Sequence, residues 1–215
     1  MCTAIVIDKL RETFQDNPGI GVAYLYCNFR RHDEETAEAM LSSLLKQLSW
    51  QRSVMPSSLE ALHCRHNKPQ GRTRPSFEEI LQTLQSVASL YFRVFILIDA
   101  IDEYRVADRR RTLSALFSLQ ENTGANIFAT SRFIPDIVQS FPNCPRYEIR
   151  AHEQDVRRYL DSHIWELPFV VHSNAALQEE IKTEIIKAID GMYAASSTIL
   201  LTTLGFYLQN FISIH

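Results

Sequence analysis

Asp99, Asp102 and Glu103 follow directly on the run Val94-Phe95-Ile96-Leu97-Ile98. An apolar run of β-formers that ends in acids reads as a buried parallel strand with carboxylates at its C-terminal tip. That is the edge at which α/β proteins bind ligands. Nucleotide hydrolases use such a tip: one carboxylate orients Mg²⁺ and its waters, and a following acid polarises the attacking water. A second run, Phe128-Ala129-Thr130-Ser131-Arg132, closes the next strand with two hydroxyls and a cation. In a parallel sheet its tip lies beside the acidic one. Arg132 is then placed to sense a terminal phosphate, and Thr130 or Ser131 to contact water or metal. Plainer readings stand beside these. Acids are common at solvated strand ends, and Arg132 can pair with Asp99 or Glu103 for charge balance alone.

Those tips need a sheet and helices to hold them. Residues 2 to 16 read as a helix with Ile5, Leu10 and Phe14 as core candidates, stopped by Asn17-Pro18-Gly19. Residues 21 to 29 are a nearly continuous apolar run, a buried strand. Ala37, Met40, Leu41, Leu44, Leu45 and Leu48 recur at helical spacing. Pro56-Ser57-x-x-Glu60 and Pro75-Ser76-x-x-Glu79 are capping-box patterns opening two further helices, the second with Phe77, Ile80, Leu81, Leu84 and Val87 on one face. A helix over about 109–121 separates the two chemistry-bearing strands, and Tyr147-Glu148-Ile149 is a weaker fourth strand. Strands alternating with helices predict a parallel α/β sheet. Beyond Arg150 only helical stripes remain: Val156, Tyr159, Leu160 and Ile164, then Leu177, Ile181, Ile185 and Ile189, closed by Gly191.

The 215 residues, 46% hydrophobic and 22% charged, fit one domain, or one domain and part of a second, and exclude a disordered or fibrous chain. A net charge of −3 argues against a nucleic-acid surface; Arg109-Arg110-Arg111 reads as a solvated helix start. The cysteines at 2, 27, 64 and 144 form no C-x-x-C pair, so reduced thiols and a cytoplasmic setting are expected. His63-Cys64-x-His66 lacks the distant partner a metal site needs. Asp161, His163 and the serines form no defensible triad, and Tyr24, Tyr26 and Phe29 suit strand packing better than a stacking platform. Residues 192 to 214 carry no charge, yet Ser196, Ser197, Thr198, Thr202, Thr203, Gln209 and Asn210 dilute them, so a buried or abnormal terminal helix is expected rather than a membrane span.

The chain resembles the NACHT-type (STAND) signal-transduction P-loop NTPases, and more closely the nephrocystin-like N-terminal module of fungal multidomain proteins with ankyrin or WD repeats. The resemblance spans about residues 3 to 193 and is carried by Gly21-Val-Ala-Tyr-Leu-Tyr-Cys-Asn-Phe-Arg30, Leu41-Ser-Ser-Leu-Leu-Lys-Gln-Leu48 and Arg72-Thr-Arg-Pro-Ser-Phe77. It continues in Leu97-Ile-Asp-Ala-Ile-Asp-Glu103, Ala125-Asn-Ile-Phe-Ala-Thr-Ser-Arg132 and Asp155-Val-Arg-Arg-Tyr-Leu160. It implies Mg²⁺ with ATP or GTP as ligands, Asp99 as the magnesium-orienting acid, and Glu103 as the water-activating acid with Asp102 beside it. It also implies Arg132 as the phosphate sensor and oligomerisation with related NTPases.

One departure is large. Such proteins hold the triphosphate in a Gly-rich loop ending Gly-Lys-Ser/Thr. The six glycines here, at 19, 21, 71, 124, 191 and 205, are followed by Ile, Val, Arg, Ala, Met and Phe, so no Gly-Lys pair exists. The expected architecture is therefore an incomplete parallel P-loop NTPase-type sheet flanked by helices. Residues 1–150 form a partial nucleotide-binding domain lacking its first strand and phosphate loop, 151–193 the start of a helical lid, and 194–215 a divergent apolar tail, as in a truncated gene product. The lost strand belongs between the Thr130 and Tyr147 strands, so the Tyr147 strand must pair differently or leave an open edge. The functional expectation is a fragment of a nucleotide-dependent signalling switch, defective in binding and hydrolysis. The alternative is a non-catalytic module that binds related full-length proteins.

Overall fold

A computed structural model describes residues 2–31, 36–69, 71–142, 144–149, 153–167, 169–192 and 197–202. It divides into two compact units, residues 1–146 with 199–215, and residues 147–198.

The first unit is an α/β sandwich with the elements α1 (Cys2–Phe14), β1 (Ile20–Tyr26), α2 (Ala37–Trp50), α3 (Ser57–His66) and a small hairpin of β2 (Asn67–Lys68) and β3 (Gly71–Arg72). It continues through α4 (Phe77–Ala88), β4 (Arg93–Asp99), α5 (Val106–Thr123), β5 (Asn126–Arg132) and α6 (Pro135–Ser140). β1, β4 and β5 are side by side and parallel, in register from Ile20 against Arg93 to Tyr26 against Asp99, and from Phe95 against Asn126 to Ile98 against Ala129. The long connections hold helices because parallel neighbours cannot be joined by a tight turn.

The sheet has two covered faces. Strand alternation sends Ala23, Leu25, Ile96, Ile98, Ile127 and Ala129 into the larger core, where α2, α4 and α5 contact one another. The predicted stripe of α2 is buried in full, and that of α4 in full except for half-buried Leu81. On the opposite face Val22, Phe95, Leu97 and Phe128 are all buried, and α1 packs there against β1 and β4.

On α1 the inward line is Thr3, Ile7, Leu10 and Phe14, each about one turn from the next. Thr3 is fully buried, Ile7 is 3% exposed, and Phe14 stacks on Phe95 with ring centroids 5.8 Å apart. Ile5, expected in the core, is 68% exposed, because it sits about 200° around the helix from Ile7.

The two capping patterns differ in outcome. Ser76 and Glu79 make the reciprocal box at the start of α4, whereas α3 takes Pro56 as its N-cap with no side-chain cap, Ser57 being already helical. Glu79 is held well below its usual 4.5, at about 2, first by the Ser76 backbone N–H, then by Arg65 (2.8 Å) and His66 (3.2 Å). A depressed carboxylate contributes stability above its unfolded value and loses it as pH falls through the folded one. Urea unfolding of the wild type should therefore weaken between pH 4.5 and about 2, and Glu79→Gln should flatten that part of the profile.

On α2, the Ser49 hydroxyl is buried and lacks a hydrogen-bond partner among the described residues. Ser49→Ala removes that orphan and improves helix propensity, and should raise the unfolding free energy by about 1 kcal/mol in denaturant titration.

On the far side of β5 the next strand is β7 (Ser197–Thr202), so that edge is not left open; this described part of the apolar tail is a strand and not the terminal helix expected there, its β-branched Thr198, Ile199 and Thr202 suiting a strand better. β6 (Arg146–Ile149) leads into the second unit, with α7 (Glu153–His163), α8 (Phe169–His172) and α9 (Ala175–Met192). α9 runs through Gly191 rather than closing there. Its described core positions are Ile186 and the stem of Lys182, with Ile181 and Ile185 half-buried, while Tyr159 on α7 is 61% exposed. Ile189 lies outside the residues whose side chains are described. Among the described residues no helix is long and apolar enough to cross a membrane. Residues 203–215 lie outside the description.

Candidate functional site

The chain leaves β4 through a forced turn. Ala100 adopts a left-handed conformation (φ 52°, ψ 50°), uncommon for a residue with a Cβ and costly enough to need fixing by its surroundings. Two groups supply this. The Ala100 N–H donates to Thr130 Oγ1 at 2.9 Å, and the short 3₁₀ turn Ile101–Glu103 is anchored by Ile101, 1% exposed.

Asp99 sits at the tip, paired in register with Tyr26 and next to Thr130. The Thr130 hydroxyl donates to Asp99 Oδ1 at 2.8 Å, and the Thr3 hydroxyl, in the first turn of α1, donates to the same oxygen. Three elements therefore converge on one carboxylate: the tips of β4 and β5 and the N-terminal turn of α1. The Tyr26 phenol is pushed above its ordinary value, by burial first and then by Tyr24, Asp99 and Asp8.

The left-handed turn swings Asp102 back across β5. Its carboxylate, 3% exposed, accepts the Arg132 backbone N–H at 3.1 Å and Arg132 Nε at 2.5 Å. Asp102 raises the Arg132 pKa further by that hydrogen bond and by its charge. Arg132 is therefore paired with Asp102, and neither Asp99 nor Glu103 is its hydrogen-bond partner. Its side chain stays 63% exposed at the rim. Glu103 turns toward the end of β1, where its Oε2 accepts the Phe29 N–H at 3.3 Å. Ser131 is 3% exposed, donates to the Arg132 carbonyl at 2.6 Å, and faces the side of the sheet opposite Thr130.

The predicted residues thus fall into distinct places. Asp99 and Thr130 meet directly, Asp102 and Arg132 form a pair beside them, Glu103 lies toward β1, and Ser131 points into the other core. Thr3 was not singled out from the sequence; its signal was a lone hydroxyl on the inward line of an otherwise apolar helix face. Among the described residues no group of three or more His, Cys, Asp or Glu side chains is arranged to hold a metal ion, His63 and His66 included. A divalent cation here would take one carboxylate, hydroxyls, water and a ligand's oxygens, the mixed set that Mg²⁺ accepts. Cys27, Cys64 and Cys144 are free thiols.

The family model described as Nephrocystin 3, N-terminal matches residues 1–132. The chain belongs to the nephrocystin 3 N-terminal family. The match runs from α1 to the last residue of β5, so the family's region contains the whole Thr3–Asp99–Thr130 corner and the Asp102–Arg132 pair. No curated protein and no solved structure matches the chain.

Proposed function

We propose that this nephrocystin 3 N-terminal chain is the magnesium-side half of a NACHT-type nucleotide-binding signalling switch, with ATP or GTP as the ligand. The observation that carries this reading is the bond from Thr3 to Asp99. It brings a helix N-terminus, whose free N–H groups and dipole favour anions, to an acid at the C-terminal edge of a parallel sheet. Thr130 fixes Asp99 from the second side and leaves its other oxygen for Mg²⁺, which would supply charge neutralisation to the phosphates. Glu103, part-exposed at the start of the next turn, is the candidate water-activating acid, and exposed Arg132 the candidate phosphate sensor.

The same residues limit the activity. Asp102 is committed to Arg132 and is not available as a base, and no Gly-Lys pair grips the β- and γ-phosphates. Binding is therefore weak, and turnover negligible.

Thermal shift with Mg²⁺ and ATP or GTP tests the reading. A ligand at 100 times its Kd adds about 2.7 kcal/mol of stability. Glu103→Gln should leave any shift in place. A shift indifferent to both Mg²⁺ and Asp99→Asn would place the ligand elsewhere.

The second reading, a non-catalytic interaction module, is favoured by an apolar surface at the α2–α3 connection. There Trp50, Val54 and Met55 are 75%, 77% and 55% exposed. Pull-down of related full-length proteins, lost on Trp50→Ala, would support it.

A further inference from the structure

The outer edge of β1 is hydrogen-bonded, although β1 ends the strand order of its sheet. Its inner side pairs with β4, which turns the N–H and C=O of Val22 and Tyr24 outward. Gln51 Oε1 accepts the Val22 N–H at 3.0 Å, and Gln51 Nε2 donates to the Val22 carbonyl at 2.8 Å. Gln47 repeats this on Tyr24, accepting at 3.0 Å and donating at 2.7 Å. Each side-chain amide presents the donor and acceptor that a neighbouring peptide group would.

The match follows from geometry. Residues four apart on a helix rise about 6 Å, and residues two apart on a strand about 6.6 Å. Because α2 runs antiparallel to β1, Gln47 meets Tyr24 and Gln51 meets Val22. The amides are held in turn: Gln51 Nε2 also donates to the Gln47 carbonyl at 2.8 Å, and Gln47 Nε2 to Ser43 Oγ at 3.3 Å.

We propose that Gln47 and Gln51 act as a side-chain strand that closes β1 against pairing with a second copy of this chain. An edge strand with open N–H and C=O groups is a template for strand addition, and β1 is seven residues of mostly β-forming side chains. A second copy fits because the outward groups are symmetric about Ala23. Two antiparallel β1 strands on a two-fold axis would set Val22 of one copy opposite Tyr24 of the other, each pair exchanging both bonds. An open groove of about 840 Å³ runs beside the edge, lined by Val22, Tyr24, Gln47 and Gln51 with Phe14 and Trp50. This inference is independent of the nucleotide reading.

The test compares wild type with Gln47→Leu/Gln51→Leu, which keeps bulk and removes both amides. Mass by light scattering is followed over rising concentration, with amide exchange at Val22 and Tyr24. In dilute solution those two amides should exchange about tenfold faster in the variant than in the wild type. At high concentration the variant should double in mass and regain protection at both. A variant whose mass never departs from wild type overturns the proposal. So does association without renewed protection at Val22 and Tyr24, or wild-type amides that already exchange like an open edge. If the double variant does not fold, Gln51→Leu alone is read in the same way at Val22.

Discussion

Leu84→Ala is expected to remove about 2–5 kcal/mol of unfolding free energy, read as a lower urea midpoint at unchanged slope. Leu84 lies in the middle of α4 with no exposed surface, in the core shared with α2, α5 and the larger sheet face. Truncation there leaves a cavity that three helices and a sheet cannot all close, so the loss exceeds the transfer term of the missing carbons. Domains are stable by only about 5–15 kcal/mol, so one such change takes a large share of the total. Trp50→Ala, at a side chain 75% exposed, should move the midpoint by less than about 0.5 kcal/mol. Equal losses at the two positions would mean that the core is not where the fold places it.

Asp102→Ala is expected to cost about 1–3 kcal/mol, the upper part of that range reduced because Arg132 is exposed to solvent. The substitution strips the Arg132 backbone N–H and Nε of their shared acceptor and loosens the turn that holds Ala100 left-handed. Asp102→Asn keeps an oxygen for the backbone N–H and loses the charge, so its cost should be the smaller of the two. Denaturant titration of both variants checks the order. If Asp102→Ala were neutral, the pair would be a surface contact without structural weight, and Asp102 would again be free to serve as a base.

Much of the fold was legible in the sequence because its periodicities were clean. The helical spacing of Met40, Leu44 and Leu48, and the unbroken run from Val94 to Ile98, leave little choice of element or facing. Short-range rules failed where two signals competed. Ser57 looked like a cap, but Pro56 fixes the backbone one residue earlier. Ile5 looked like core because it is apolar, yet the line Thr3-Ile7-Leu10-Phe14 decides which side of α1 faces the sheet.

The sequence offered the candidate site as a list of residues and not as a set of partners. The pairing of Asp102 with Arg132 depends on a left-handed alanine, a conformation that the sequence marks with no glycine. Strand alternation alone separates Thr130 from Ser131, a distinction the sequence reading left open. Thr3 could not be linked to Asp99 from the sequence, because they are 96 positions apart and only the folded sheet brings α1 to the β4 tip. The edge-closing glutamines went unread for the same reason: their partners are backbone groups, which no side-chain pattern reports.

The most direct test of the account is the magnesium dependence of the nucleotide thermal shift, measured on the wild type and on Asp99→Asn. Asn keeps an oxygen for the Thr3 and Thr130 hydroxyls and removes the charge, so the corner should stay folded while losing its hold on the cation. The account predicts a shift for the wild type only at nucleotide concentrations on the order of millimolar, as a weak Kd requires. That shift should be larger with Mg²⁺ than with EDTA, and Asp99→Asn should abolish the difference. A wild type that shows no shift with either nucleotide, or a magnesium effect that survives Asp99→Asn, would contradict it.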